Sequence, residues 1–172
     1  MISDSLSAPR HCFGAAVAEA VDHPTLRVLL RYWQSKSRDG RLPRLADLDP
    51  PTEIPRITTN MSIILTEGDP PRFKYKRMGS AIVADRKQRR VRDATGHYLD
   101  EVDFHTPLDA VLRPLRDVVR LRQPYHEFRR YRAGEYANLW YEWLVLPMSE
   151  DGAAVTSMMT GYVTLPKPPA RR

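Results

Sequence analysis

The chain has 172 residues, 42% of them hydrophobic and 28% charged, with a formal net charge of +6. That is too apolar for a disordered chain, and the length suits one domain with looser ends. A single cysteine, Cys12, excludes an intrachain disulfide and a zinc site built from several cysteines; no apolar run is long enough to span a membrane, so a cytoplasmic protein is expected.

Residues 1–23 are small and polar around one alanine-rich patch, "CFGAAVAEAV", and read as a flexible arm. Glu19 interrupts the patch, Asp4 precedes it and no strongly basic stretch leads into it, which argues against a secretion signal. The first strong element is "HPTLRVLLRYWQSKS". Pro24 and Thr25 suit a helix start; Leu26, Leu29, Leu30 and Trp33 recur on one face, with Arg27, Arg31 and Lys36 on or near the other. In "GRLPRLADLDPPTEIPRI", four prolines and several aspartates predict short helical turns and no strand. Residues 24–61 therefore read as a flanking amphipathic helix and a proline-rich connection.

"SIILTEGDPPRFKYKRM" predicts a hairpin: Ile63 and Leu65 are β-prone, "EGDPP" turns, and Phe73 and Tyr75 alternate with lysines. Helical or irregular chain follows Gly79, and Thr95 and Gly96 offer a second helix start, with Tyr98, Leu99 and Val102 on one side. "TPLDAVLRPLRDVVRLRQP" predicts a longer helix with Thr106 as N-cap and Pro107 in the first position. Its apolar stripe runs through Leu108, Val111, Leu112, Leu115, Val118, Val119 and Arg122, bent at Pro114. From Tyr125 the period changes to 2 and three strands follow, turning at "AGEYAN" and "SEDG". The class is α+β: five antiparallel strands with a helical crossover between the second and third, plus the flanking helix. Residues 62–165 form the domain and 166–172 a basic tail.

No constellation reads as catalytic. Gly79-Ser80 lacks the further glycines and the lysine of a phosphate loop, no serine sits in a nucleophile elbow, and Cys12 beside His11 lies in the arm. None of His11, His23, His97, His105 and His126 is spaced to ligate a metal with another, so no metal site is assigned. The acids Asp47, Asp49, Asp100, Glu101 and Asp103 lie in turn-like sequence and read as caps. "RKQRRVR" puts five cations in seven positions, and Arg113, Arg116, Arg120, Arg122, Arg129, Arg130 and Arg132 follow. On one face they would make a salt-sensitive nucleic-acid or anionic-surface adaptor, the alternative reading. Without a helix-turn-helix, zinc-finger or RNP-like motif, a solvated or ion-paired surface is the simpler one. In "YANLWYEWLVLP", Leu139, Tyr141, Trp143 and Val145 share one face, while Trp140, Leu144 and Leu146 share the other with Glu142. A sheet apolar on both sides needs a second cover: the Leu26–Trp33 helix of the same chain, or of a second copy.

The order of elements, with "LLRYWQSKSRDGRLPRLADLDP", "FKYKRMGSAIVADR", "RDATGHYLDEV" and "YEWLVLPMSEDG", resembles the PAS domain, and more narrowly the single-domain PAS family of alphaproteobacteria. The resembling positions are Pro43, Arg44, Asp47, Asp49 and Pro50; Gly79-Ser80, where the family has Gly-Thr; Asp93, Thr95 and Gly96; and Leu146 to Gly152. The charged "RKQRR" before Asp93 departs from the family pattern. The resemblance implies a non-catalytic sensory or regulatory module that binds a small, hydrophobic ligand or a partner protein and signals in trans as a homodimer. It implies a pocket between crossover and sheet, with Ile82, Leu99, Val111, Leu112, Leu115, Tyr141 and Trp143 as candidate lining, and Leu26, Leu29, Leu30 and Trp33 at the dimer contact. It names no cofactor, and the crossover lacks the cysteine that a flavin photoadduct needs. Gly79 and Gly96 then read as glycines of the fold, at a sharp turn and at a helix start.

Overall fold

In the computed structural model, which describes residues 10–104, 106–131 and 139–166, the first element is a strand. This strand, β1 (Arg10–Phe13), is followed by a 3-10 turn over Gly14–Ala16 and the one-turn helix α1 (Val17–Ala20). Residues 10–23 are therefore not a loose arm: β1 pairs antiparallel with residues 125–128, and Val17 and Val21 are buried. Four residues are too few to print a period in the sequence, and this strand exists because a distant partner is there to bond it.

Helix α2 (Pro24–Lys36) forms as its end signals prescribe, with Pro24 in the first turn and His23 Nδ1 accepting from the Thr25 N–H at 3.2 Å. Its stripe of Leu26, Leu29, Leu30 and Trp33 faces the chain's own sheet, against Leu144, Leu146, Met148 and Met159. Those four helix residues were expected at a dimer contact, and here the reading changes. At 0%, 1%, 5% and 8% exposure they have almost no apolar surface left for a second copy, because the helix covers the second sheet face in cis. Trp33 Nε1–H also donates to the Pro147 carbonyl at 2.8 Å inside this layer. Replacing Trp33 by Phe should lower unfolding stability by about 2 kcal/mol, since a buried carbonyl loses its donor and the ring shrinks. Urea titration followed by circular dichroism reads that loss directly.

The connection is a series of proline-opened turns, as expected: 3-10 turns at Leu45–Asp47 and Pro55–Asn60 with the short helix α3 (Pro50–Glu53) between them. Glu53 clips it to α2, accepting from the Tyr32 hydroxyl and pairing with Lys36, both at 2.5 Å. The hairpin of β2 (Met61–Glu67) and β3 (Arg72–Met78) follows, then α4 (Ser80–Gln88), a 3-10 turn at Leu99–Glu101 and α5 (Leu108–Leu121). Pro107, not Thr106, is the residue before the first turn of α5. Leu108 is exposed and Arg122 leaves the helix in a left-handed conformation, so the buried stripe narrows to Leu112, Leu115 and Val118 with Pro114.

Strands β4 (Tyr125–Arg130), β5 (Trp140–Met148) and β6 (Ser157–Leu165) complete one antiparallel sheet in the order β1-β4-β5-β6-β2-β3. It has six strands where five were expected, the addition being β1 at the edge. The "SEDG" turn joins β5 to β6; "AGEYAN", Arg132 and the tail at 167–172 lie outside the described residues. The two faces of β5 divide as its alternation predicts. Leu144, Leu146 and Met148 lie under α2, while Trp143 and Val145 lie toward α5 with Ile64, Phe73, Tyr125 and Met158. No helix among the described residues is long and apolar enough to cross a membrane.

Candidate functional site

Helix α4 starts directly after β3 and brings Asp85 and Arg89, one turn apart, over the open end of the α5 face. The 2.5 Å contacts of Arg89 Nη2 with both Asp85 carboxylate oxygens make a local pair of the helical i, i+4 kind. Arg89 is only 5% exposed, so it is not part of a solvated basic surface. Its guanidinium lies 4.4 Å from the centroid of the Tyr131 ring, and Nη1–H donates to the Tyr162 hydroxyl at 3.3 Å. The Tyr131 and Tyr162 hydroxyls touch each other. Behind them the Tyr141 ring stands 4.9 Å from Tyr131 and 5.6 Å from Tyr162, so the sheet presents an aromatic floor.

Between this floor and the roof of α4, α5, Asp103, Phe104 and Thr106 lies a cavity of about 110 Å³. Of the seven residues expected to line a pocket, Ile82, Val111, Tyr141 and Trp143 do so. Leu99, Leu112 and Leu115 do not. They are buried in the layer beneath α5 with Ile64, Phe73 and Met158, where they hold the roof to the sheet.

The polar part of the wall was not anticipated from the sequence: it includes Arg89, Glu127, Tyr131, Tyr162 and the buried hydroxyl residues Ser62 and Thr160, and Asp85, Arg86 and Asp103 add further charge. Arg89 lay hidden in a run that reads as solvated, and its i, i+4 spacing from Asp85 was the available signal. Glu127 is 1% exposed, and burial pushes its carboxyl above the ordinary range against the opposing pull of Arg129. It forms an ion pair with Arg129, and the Tyr141 hydroxyl donates to Oε2 at 3.4 Å. Burial also raises the phenols, Tyr75 to about 12 and Tyr162 well above its usual value, so the cavity's tyrosines are neutral donors at physiological pH.

The remaining candidates have structural work. Arg113 and Arg116 pair with Asp109 and Arg120 with Asp117, Arg122 donates to the Gly152 carbonyl, and Arg86 donates to the carbonyls of Arg92 and Asp103. The aspartates read as caps make ion pairs instead, Asp47 with Arg44 and Asp100 with Arg72 across 28 residues, and those contacts hold both carboxyls below the usual range. His126 bonds Glu142 at 2.8 Å and His105 lies outside the described residues. Cys12 is half-buried in β1, and burial raises its thiol. Among the described residues no cluster of three or more His, Cys, Asp or Glu is placed to hold a metal ion. No protein-family model matches the chain, and no curated protein or solved structure matches it either.

Proposed function

We propose that the chain is a non-catalytic, cytosolic sensory or regulatory module of the PAS type, which binds a small molecule in the aromatic cavity and passes the signal to a partner protein in trans. The observation that carries this reading is the cavity's position, between the helical crossover and the sheet, where the PAS resemblance expects a ligand. The succession of two strands, helical crossover and three strands in one antiparallel sheet supports it as well. The arginine-rich adaptor is the weaker reading, because Arg89 is buried and Arg113, Arg116 and Arg120 stand beside acids of their own helix.

The signal would be a population shift. Helix α4 is tied to the sheet by Arg89 on Tyr131 and Tyr162, so a ligand that competes for those contacts favours a different seating of α4. Native mass spectrometry of the purified chain beside its Val111→Phe variant tests the reading. Phe at a lining position of α5 fills the cavity, so wild type should carry a small-molecule mass, lost on denaturation and missing from the variant. A bare protein mass for both removes the ligand from the proposal. The same spectrum counts protomers, and a homodimer would have to use surfaces other than the buried face of α2.

A further inference from the structure

The burial of the wall shows where the cavity meets solvent. On its inner side Arg89, Glu127, Tyr131 and Tyr141 are buried, whereas Arg86 and Phe104 are half-exposed and Asp103 is exposed. Among the described residues of the wall Asp103 alone is exposed, so the mouth lies where α4 meets the segment that leads into α5. One side chain spans it. Arg86 leaves α4 about one turn before Arg89, and its guanidinium lies 5.4 Å from the centroid of the Phe104 ring. Its Nε–H donates to the Arg92 carbonyl at 3.0 Å and its Nη2–H to the Asp103 carbonyl at 3.3 Å. Arg86 therefore stitches one helix of the roof to the segment that enters the other.

The two arginines of α4 differ in what letting go would cost. Freeing Arg89 would strip a buried charge of Asp85, Tyr131 and Tyr162 together, which is expensive. Arg86 holds two backbone carbonyls and a ring at the edge of the solvent, so water replaces each contact as it breaks. Its acceptors also stay in place without it, because Arg92 Nη2–H donates to the Glu101 carbonyl at 3.2 Å and joins the two segments that carry them. The mouth can thus open by the motion of one side chain while the sheet, α4 and the floor keep their positions.

We propose that Arg86 is the latch of the cavity: its side chain swings off the Asp103 carbonyl and the Phe104 ring to admit or release what the cavity holds, while Arg89 keeps α4 seated. That the guest is a ligand as well as water rests on the ligand-binding reading above; that the latch controls entry does not. Hydroxyl-radical footprinting of the full chain, read residue by residue by mass spectrometry, tests it on wild type, Arg86→Ala and Arg86→Lys. Radicals made in water must enter the cavity to label Tyr131 and Tyr141, whereas Tyr32, buried in the layer on the other side of the sheet, is the control. Arg86→Ala should raise labelling of Tyr131 and Tyr141 at least about fivefold, the worth of one ordinary hydrogen bond in the open fraction, with Tyr32 unchanged. Arg86→Lys keeps the charge but offers one nitrogen where two carbonyls were held, so it should fall between. Should the alanine variant fail to fold by circular dichroism, the lysine variant carries the test, and its labelling must exceed that of wild type. Unchanged labelling at both tyrosines overturns the latch. A parallel rise at Tyr32 overturns it too, because Arg86 then holds the fold as a whole. The two readings fail apart: a bare wild-type mass in the native spectrum removes the ligand without touching the footprint, and an unchanged footprint removes the latch without touching a bound mass.

Discussion

Replacing Gly79 by alanine should destabilise the fold by at least about 3 kcal/mol, the upper range for an overpacked position that cannot relax. The reason is space rather than conformation. Gly79 has φ −66° and ψ 146°, which any residue adopts, yet a Cβ built there would stand 2.2 Å from the Thr59 carbonyl oxygen and 2.7 Å from that of Met61. Both obstacles are backbone, at the end of the Pro55–Asn60 turn and the start of β2, so no side-chain rotation relieves the clash. The junction would have to open, and α4 would lift from the sheet with Asp85 and Arg89, so the cavity would suffer along with stability. Gly96 is the useful comparison: its φ of +82° is strained for alanine, but nothing lies within 4 Å of the new Cβ. Gly96→Ala should therefore cost only about 1 kcal/mol. Urea denaturation of both variants, with the slope checked for constancy, separates the causes; losses within about 0.5 kcal/mol of each other would reject the close-approach account.

Gly79 also shows where sequence reading reaches its limit. That it is a glycine of the fold was the expectation drawn from the lack of companion glycines, and the close backbone approach fits it. That its role is to let two backbones meet could not be read, because Thr59 and Met61 meet it only after the proline-rich connection has wrapped around. Local periodic signals survived best. The Leu26, Leu29, Leu30 and Trp33 stripe repeats at helical spacing and α2 follows it; the alternation of Tyr141, Trp143 and Val145 with Leu144 and Leu146 assigned both faces of β5 correctly. The same stripe could not say whose sheet it covered. Loop length and the position of β5 decided that in favour of the same chain.

The cavity was half legible for a similar reason. Tyr141 and Trp143 were found because their strand alternates, and Val111 because its helix is amphipathic. A helical stripe does not tell its centre from its edge, however. Leu112 and Leu115 sit at the centre and seal against the sheet, while Val111 at the edge reaches the cavity. Arg89 is the clearest miss. In sequence it is one cation among five, and its burial depends on Tyr131 and Tyr162, contributed by chain far beyond it. A basic run looks solvated until a distant aromatic pair covers one member of it.

Glu142 should prove to be the second position on which the fold turns: Glu142→Ala is expected to cost at least about 3 kcal/mol, because three groups lose their shared acceptor at about 1–3 kcal/mol each. The carboxylate is 1% exposed in the middle of β5, on the face that α2 covers. Its Oε1 accepts from the Asp22 N–H at 2.7 Å and bonds His126 Nε2 at 2.8 Å, while Oε2 accepts from the His23 N–H at 2.9 Å. Asp22 and His23 immediately precede the first turn of α2, so one side chain fixes where that helix meets the sheet. Alanine would leave two N–H groups and an imidazole buried without their acceptor. Burial alone would push the Glu142 carboxyl up, but the His126 ring and the two backbone N–H groups outweigh it and hold the carboxyl below its ordinary value of 4.5. A carboxyl depressed in the folded state contributes stability that is complete above its unfolded value and is lost as pH falls through its folded one. The gap between wild type and Glu142→Gln, which keeps the shape without the charge, should therefore be widest at neutral pH and close on acidification below about pH 4. Urea unfolding of the pair at neutral pH and at about pH 3 measures it. A gap that stays constant across that range would mean that Glu142 holds α2 by shape alone, with its charge contributing nothing.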